Sequence, residues 1–234
     1  MKKQDILFAI IIIACFLPFF ISEPIYSYYL SANNAHPYIM AFFKFAILAT
    51  LGEVIGLRIK NGVYNESGFG IMPRAIIWGL LGIWIAIAMK TFSSGIPYFI
   101  QSLGIDGVAD AMKSTFSPEK LLGAFLISVM MNTTFGPVFM TVHKITDTHI
   151  LNCGGSLKAL ITPLPFGKIL ANLNWDIQWN FVFKRTIPLF WIPAHTLTFL
   201  LPPQFQVLFA ALLGVALGIL LSIAAVSARK KIKV

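Results

Sequence analysis

Long apolar runs alternate with shorter polar segments along this chain. A helix that crosses a bilayer needs about 20 predominantly apolar residues, because each residue adds about 1.5 Å towards a hydrocarbon core of about 30 Å. Six runs approach this length, and the fifth, the least regular, extends backwards towards Trp179. Their bounds are 6–22, 37–57, 75–92, 121–142, 187–201 and 207–226. The pattern predicts an all-α fold in which residues 1–234 form a single transmembrane domain, a bundle of about six helices, several of them proline-kinked.

Composition narrows the class of protein further. The chain is 57% hydrophobic and 12% charged, whereas soluble domains are about 25% charged. A disordered chain has few apolar residues and much charge, so this composition excludes disorder. We therefore expect the chain to lie in a lipid bilayer, which is the first partner we predict. The net charge of +9 would indicate nucleic acid in a soluble protein, but here the basic residues flank apolar runs, and we expect no nucleic-acid partner.

The basic residues also predict an orientation, since Lys and Arg accumulate in cytoplasmic loops. With the amino terminus inside, most Lys and Arg lie at the chain ends or in the inner loops. The exceptions are Lys44, Lys90, Lys113 and Lys120. We therefore expect both termini to be cytoplasmic. The first run could be a signal peptide, but Ser22-Glu23-Pro24 is a poor cleavage site, so we expect it to be retained.

Two segments between the predicted helices are long enough to contain structure of their own. They are 93–120 and 145–178, and both are predicted as interfacial or loop segments. The second includes an amphipathic stretch that ends near Trp175 and Trp179. Tryptophan is enriched at the membrane–water interface, so we expect this stretch to lie among the lipid headgroups.

Glu53 is the first candidate for a functional side chain, because ionisable groups inside a membrane are costly and usually serve a purpose. Gly52 and Gly56 form a Gly-x-x-x-Gly motif around it, which allows a close helix contact. One interpretation is a carboxylate that lines a solute cavity. The other is a structural hydrogen bond or ion pair, for which Arg58 or Arg74, near the same face, is the candidate partner.

Polar side chains and prolines share the fourth and fifth predicted spans. A proline removes a backbone hydrogen bond and frees carbonyl groups, as in the broken helices that line transporter cavities. His195 could contact solute, or it could make an interhelical hydrogen bond. The candidate kinks are Pro137, Pro188 and Pro193, and the cavity-lining candidates besides Glu53 are Asn132, Thr133, His195 and Thr198.

The remaining motifs indicate packing rather than chemistry. Gly214 and Gly218 form a second Gly-x-x-x-Gly, for contacts within the chain or between protomers of a homo-oligomer. Cys15 and Cys153 are expected to lie far apart, so we predict neither a disulfide nor a metal site. Signatures of a phosphate loop, a zinc protease and a nucleophile elbow do not occur in the sequence, and we expect no enzyme activity and no cofactor.

Several short motifs occur in an order that resembles the Mpv-seventeen family, also called the peroxisomal membrane protein twenty-two family. These motifs are Gly52-Glu53-Val54-Ile55-Gly56, Arg74, Phe135-Gly136-Pro137, Trp191-Ile192-Pro193-Ala194, Thr198-Phe199, Pro202 and Leu221-Ser222. The chain departs from the family pattern at several polar positions. Where this chain has Glu53, Asn132, His195 and Thr198, the family has Asp, Gln, Gln and Asn. The resemblance implies a small helical membrane protein of organelles or bacteria that passes small solutes with little selectivity.

These observations favour a channel-like pore or carrier for small solutes, with the solute unknown. Two alternatives stay open: a solute-binding membrane subunit that works with a separate ATPase, and a structural membrane protein without transport activity. An enzyme acting on lipids is a further, weaker alternative, because it needs several acids or histidines at one depth. Since no Arg- and Ser-rich presequence precedes the first span, we expect the bacterial cytoplasmic membrane.

Overall fold

The computed structural model describes residues 3–232, without the side chains of residues 224, 225 and 227–232. Several basic residues of the chain ends, on which the predicted orientation depends, therefore lie outside the described residues: Lys2, Lys233 and the side chains of Arg229, Lys230 and Lys231. All regular secondary structure in the described residues is helical. The α-helices are α1 Lys3–Phe16, α2 Pro18–Ile21, α3 Glu23–Ala35, α4 Pro37–Asn61, α5 Ile71–Ser102, α6 Val108–Ala111, α7 Pro118–Asn152, α8 Phe166–Ala171, α9 Trp175–Ile177, α10 Ile192–Leu200 and α11 Pro203–Ile232. A 3₁₀ turn, Leu157–Leu160, and a π-helix, Gln178–Trp191, complete the set.

Five helical segments among the described residues are long and apolar enough to cross a membrane by length and composition. They are Lys3–Ile21, Pro37–Asn61, Ile71–Ser102, Pro118–Asn152 and Pro203–Ile223. Three predicted spans lie within these segments, and two more, 6–22 and 207–226, overlap them except for their last one and three residues. The predicted span 187–201 differs, since it falls in the 14-residue π-helix and the 9-residue α10 that follows it directly.

The chain divides into two compact units, and the first is Met1–Met40. Its helices α1 and α2 form the Lys3–Ile21 segment, whose side chains are largely exposed. The α3 helix, which hydropathy alone does not predict, follows from Ser22, with Pro24 in its first turn. The Phe19 and Tyr29 rings meet edge to face with their centroids 5.7 Å apart. The unit thus contains α1 followed by α2 and α3, which the contact between these two rings links.

The second unit is Ala41–Val234, and α7 is its central helix. The α5 helix packs against α7 antiparallel, as Trp78 lies beside His143 and Trp84 beside Phe135. The π-helix and α10 pack on another face of α7. The α4 helix packs against α5, where the rings of Phe42 and Phe45 cover Gly79 and Gly82. A methyl group at either glycine would collide with these rings, so the glycines bring α4 and α5 close together.

The longest helices extend beyond their predicted bounds. The α5 helix continues ten residues past the predicted end at 92, through the buried Pro97 to Ser102. The α7 helix, 35 residues long, continues past 142 to Asn152. The first ten residues of 93–120 and the first eight of 145–178, two segments predicted as interfacial or loop, therefore belong to these helices. Lys144 and Asp147 do not end α7, because they are three residues apart on the helix and form an ion pair with each other.

The three prolines predicted as kinks lie inside helices or in the first turn of one. Pro137 is inside α7, whose helical conformation is continuous through it, and Thr141 Oγ1 donates a hydrogen bond to the Pro137 carbonyl, 2.8 Å away. Pro188 is inside the π-helix, and Pro193 is in the first turn of α10. The backbone hydrogen bonding thus changes from the π to the α pattern between these two residues, neither of which can donate.

Candidate functional site

Arg74 lies at the point where three helices of the second unit converge. Its Nη1 is 2.7 Å from Glu53 Oε2 on α4, and it also forms an ion pair with Asp147 Oδ1 on α7. The side chain of Arg74 is 7% exposed, and those of Glu53 and Asp147 are 21% and 15% exposed. One buried cation therefore joins two mostly buried carboxylates on different helices, and we call these residues with Trp78 and His143 the ionic cluster.

Local backbone geometry explains why Arg74 lies there. Gly70, with φ at +74°, precedes α5, and Arg74 is in the first turn of that helix. A Cβ at Gly70 would lie 2.7 Å from the backbone of Gly155, which follows α7 and also has a positive φ. Only residues without a side chain allow this approach. The start of α5 and the end of α7 are thereby brought to the same end of the unit.

Arg74 is further fixed by the loop before its helix. Its Nε donates to the Phe69 carbonyl at 2.7 Å, and its guanidinium lies 4.6 Å from the centroid of the Phe69 ring. Asp147 is also held from a second side, because Lys144 Nζ is 3.2 Å from Asp147 Oδ2. The charges of the cluster are thus paired by contacts that originate on α4, α5, α7 and the loop before α5.

Two aromatic side chains complete the surroundings of Glu53. Trp78 Nε1 donates to Glu53 Oε1 at 2.9 Å, and His143 Nε2 lies 3.5 Å from the same oxygen. The Trp78 and His143 rings lie side by side with their centroids 4.4 Å apart. The carboxylate is therefore approached by nitrogen atoms from both α5 and α7.

A small pocket opens beside the ionic cluster. Its walls are Glu53, Arg74, Ile77, Trp78, His143, Thr146, Asp147 and Ile150. The region that the centre of a water molecule can occupy amounts to about 10 Å³, which is close to the least space that holds one water. In this conformation the pocket admits a water molecule but not a larger solute.

Aromatic side chains fill the α5–α7 contact next to the cluster. The Trp84 ring meets the Phe135 ring edge to face at 4.9 Å, and Phe139 lies 5.9 Å from Trp84 and 6.4 Å from Trp78. Phe135, Phe139 and His143 are four residues apart, so they lie on one face of α7. We call these rings the aromatic stack, and they fill the space between α5 and α7 next to the ionic cluster.

A second polar group, which we call the neutral cluster, links α7 to α10. Asn132 Nδ2 donates to the Ser128 carbonyl at 2.8 Å, and His195 Nδ1 lies 3.1 Å from Asn132 Oδ1. Ser128 Oγ donates to the Ile192 carbonyl at 2.7 Å. Trp191 stacks on His195 with centroids 5.1 Å apart. Because a carbonyl can only accept, Asn132 must present Oδ1 to the histidine, and His195 Nδ1 must carry a proton.

The structure does not bring all predicted cavity residues together. Glu53 belongs to the ionic cluster and Asn132 and His195 to the neutral cluster. The α7 residues of the two clusters, Asn132 and His143, are 11 positions apart, or about 16 Å along the helix. The two clusters are therefore separate along α7, whereas the sequence grouped their residues as candidates for one cavity.

The two predicted threonines bond to their own helices. Thr133 lies on the exposed face of α7, where its hydroxyl donates to the Val129 carbonyl at 2.8 Å. Thr198 is fully buried, and its hydroxyl donates to the Ala194 carbonyl at 2.9 Å. A threonine whose hydroxyl bonds the carbonyl four residues earlier needs no other partner in an apolar surrounding. Neither threonine contacts the ionic cluster, and the role of Thr133 as a cavity residue stays a prediction.

The two Gly-x-x-x-Gly motifs differ in what they contact. A Cβ at Gly52 would lie 2.9 Å from the Val215 backbone, and one at Gly56 would lie 2.8 Å from Ser222 Oγ, so α4 and α11 pack closely. Gly218 faces the Gly52 carbonyl, with 3.4 Å between that oxygen and an added Cβ. Gly214 has no atom within 4 Å of such a Cβ. Gly214 is therefore not a contact within the described part of the chain.

Several members of the ionic cluster were not identified from the sequence. Arg74 was one of the two alternatives for an ion pair with Glu53, and the structure selects it, while Arg58 contacts the Gly62 carbonyl and the Tyr64 ring. Asp147, His143 and Trp78 were missed. The signal for two of them was the spacing of four between His143 and Asp147, which places both on one helix face if α7 continues beyond 142.

Comparisons with protein-family models, with curated proteins and with solved structures found no match. The resemblance to the Mpv-seventeen family therefore stays a prediction that depends on the motifs themselves.

Proposed function

We propose that this protein is a multi-pass membrane protein with six crossings and with both termini in the cytoplasm. The helix directions of the second unit support the proposal. The α5 and α7 helices are antiparallel, and so are α7 and α10, since Gly136 faces Ile187 and Ser128 contacts Ile192. The α4 and α11 helices are parallel, as Gly52 and Gly56 face Val215 and Ser222. Alternating passes produce this pattern.

The π-helix and α10 are proposed as the fifth crossing. Together they form an unbroken helix from Gln178 to Leu200, which is close to the length that a membrane span needs. Lys184 and Arg185 lie near its start, and Lys184 Nζ is 5.6 Å from the Trp179 ring. A basic and aromatic start suits the cytoplasmic interface. The basic segments 58–74 and 144–158 are joined by the Gly70–Gly155 contact, and we propose the same cytoplasmic side for them and for the start of the π-helix.

The function we propose is a channel-like pore or carrier for small solutes, with the solute path beside the ionic cluster. The observation that carries the proposal is the burial of Arg74 between Glu53 and Asp147 where three helices of membrane length meet. Charged groups at such a place are costly and usually line a solute or ion path. The adjoining pocket, wide enough for one water, corresponds to a closed conformation of that path.

The family resemblance supports the same proposal. Glu53 and Arg74, which occupy the positions of the family's acid and arginine, are the pair that the structure joins at 2.7 Å. The motif residues Phe135 and Trp191 lie in the aromatic stack and the neutral cluster. We propose the bacterial cytoplasmic membrane as the location.

Flux into liposomes tests the proposal. The purified protein is reconstituted into liposomes, and the entry of labelled glycerol, acetate and amino acids is compared with that into protein-free liposomes. We expect faster entry of at least one small solute with the protein present. Entry at the protein-free rate for all solutes, under every membrane potential and pH tested, would contradict a transport function.

A structural role without transport is the second candidate, and the neutral cluster favours it. Each polar group of Ser128 and Asn132 that faces the neighbouring helix has a partner, as expected for residues that only hold α7 and α10 together. A wild-type protein that folds in liposomes but passes no solute would select this candidate.

A further inference from the structure

Three nitrogen atoms surround the carboxylate of Glu53. Arg74 Nη1 is 2.7 Å from Oε2, while Trp78 Nε1 and His143 Nε2 are 2.9 Å and 3.5 Å from Oε1. A guanidinium, an indole N–H and an imidazole N–H facing one carboxylate form a binding site for a carboxylate group. The donors come from α5 and α7, whereas the carboxylate that occupies the site comes from α4.

The three donors keep their positions independently of α4. The Trp78 and His143 rings pack in a tilted arrangement with their centroids 4.4 Å apart, and Trp78 also lies beside Phe139. Arg74 is held by Asp147 and by the Phe69 carbonyl. Asp147 in turn is held by Lys144. The site would thus remain if the carboxylate of Glu53 moved away.

We infer that these donors form a site for small monocarboxylates, and that Glu53 occupies it in the closed conformation as an internal substitute for the solute. This inference depends on the proposed function, and it names the solute class as carboxylates of about the size of formate or acetate. Size is limited by the site itself, since the pocket beside Glu53 has room for one water. A solute carboxylate would replace that of Glu53 on Arg74.

Chemical rescue tests the site without depending on transport. In the variant Glu53→Ala, the side chain lacks a CH₂ and a carboxylate, the groups that acetate supplies. At about 100 mM potassium acetate we expect the melting temperature of Glu53→Ala to rise by about 3 °C above its value in potassium chloride, because a ligand that binds only the folded state stabilises it. Wild-type protein, whose site is filled, should show no such rise.

Two matched variants separate site binding from a general salt effect. In Glu53→Gln an amide fills the position, so acetate should not raise the melting temperature. In Glu66→Ala an exposed carboxylate that bonds Asn61 is removed, and acetate should again have no effect. An equal rise in all variants, or none in Glu53→Ala, would overturn the inference.

A flux experiment on the wild-type protein covers the case in which Glu53→Ala does not fold. Entry of labelled acetate into proteoliposomes should saturate and be inhibited by formate, but not by glycerol. Entry of glycerol without protein-dependent entry of acetate would overturn the inference while leaving the proposed function intact. Entry of no solute would count against the function, and rescue of Glu53→Ala by acetate would then support the binding site alone.

Discussion

The ionic and neutral clusters both include residues of α7, and they stabilise polar groups among apolar helices in different ways. In the neutral cluster, Ser128, Asn132 and His195 are buried and joined by a directional chain of hydrogen bonds that ends on the Ile192 carbonyl. In the ionic cluster, formal charges on three helices meet at Arg74, and a pocket opens beside them.

The two clusters differ in the free energy that is lost when their contacts between helices separate. A neutral hydrogen bond between membrane helices contributes on average about 0.6 kcal/mol, and seldom more than about 2 kcal/mol. Separating a buried ion pair leaves an uncompensated charge, unless another charged group takes the vacant place. The neutral cluster therefore suits a permanent contact, whereas the ionic cluster suits a contact that a solute of the right charge can exchange.

The largest effect is expected at Arg74. In Arg74→Gln, two mostly buried carboxylates lose their common partner, and we expect the free energy of unfolding in mixed micelles to fall by about 3–5 kcal/mol. Lys113→Gln, at a side chain that is 72% exposed, serves as the control and should change it by less than about 0.5 kcal/mol. The triple variant Arg74→Gln, Glu53→Gln, Asp147→Asn should recover part of the loss, since no charge is left unpaired. No recovery would show that the charges are not what makes Arg74 important.

A smaller effect is expected where α4 packs on α11. In Gly52→Ala the added methyl would lie 2.9 Å from the Val215 backbone, so α4 must shift and Glu53 with it. We expect a loss of about 2 kcal/mol in unfolding free energy, measured in the same micelles. Gly214→Ala has open space around its Cβ and should be neutral. Equal effects of the two variants would contradict the assignment of Gly52 to a close contact.

A still smaller effect is expected in the neutral cluster. Asn132→Ala removes the acceptor of His195 Nδ1, and we expect a loss of about 1 kcal/mol with solute flux retained. Thr133→Val, one position along the chain but on the exposed face, should stay within about 0.5 kcal/mol of wild type. Loss of flux in Asn132→Ala, with folding intact, would place the neutral cluster on the solute path. It would contradict the conclusion that this cluster is only a permanent contact between helices.

The apolar runs predicted the long helices, but not their ends or the short helices between them. The fourth predicted span ends at 142, two residues before Lys144, and charge usually marks the end of a span. Here Lys144 pairs with Asp147, and Asp147 also pairs with Arg74. A hydropathy profile contains no information about such partners. The π-helix around Pro188 likewise has no periodicity that separates it from an irregular α-helix.

The candidate residues were chosen by residue type, and their grouping required the fold. Glu53 was identified because a carboxylate in an apolar run is conspicuous, and Arg74 was among its possible partners. Asn132 and His195, 63 positions apart, were both chosen as polar groups in spans. That they contact each other rather than Glu53 depends on the rotation of α7 and α10 about their axes, which the sequence pattern does not specify.

Thiol accessibility at Thr146 tests the central claim most directly, namely that the pocket beside the ionic cluster lies on the solute path. Thr146 lines this pocket, and a single cysteine is introduced there after Cys15→Ala and Cys153→Ser. We predict that a membrane-impermeant thiol reagent modifies Thr146→Cys when the path opens and then blocks solute flux in proteoliposomes, while Thr133→Cys, on the exposed face of α7, retains flux. Complete modification of Thr146→Cys with undiminished flux would contradict the claim.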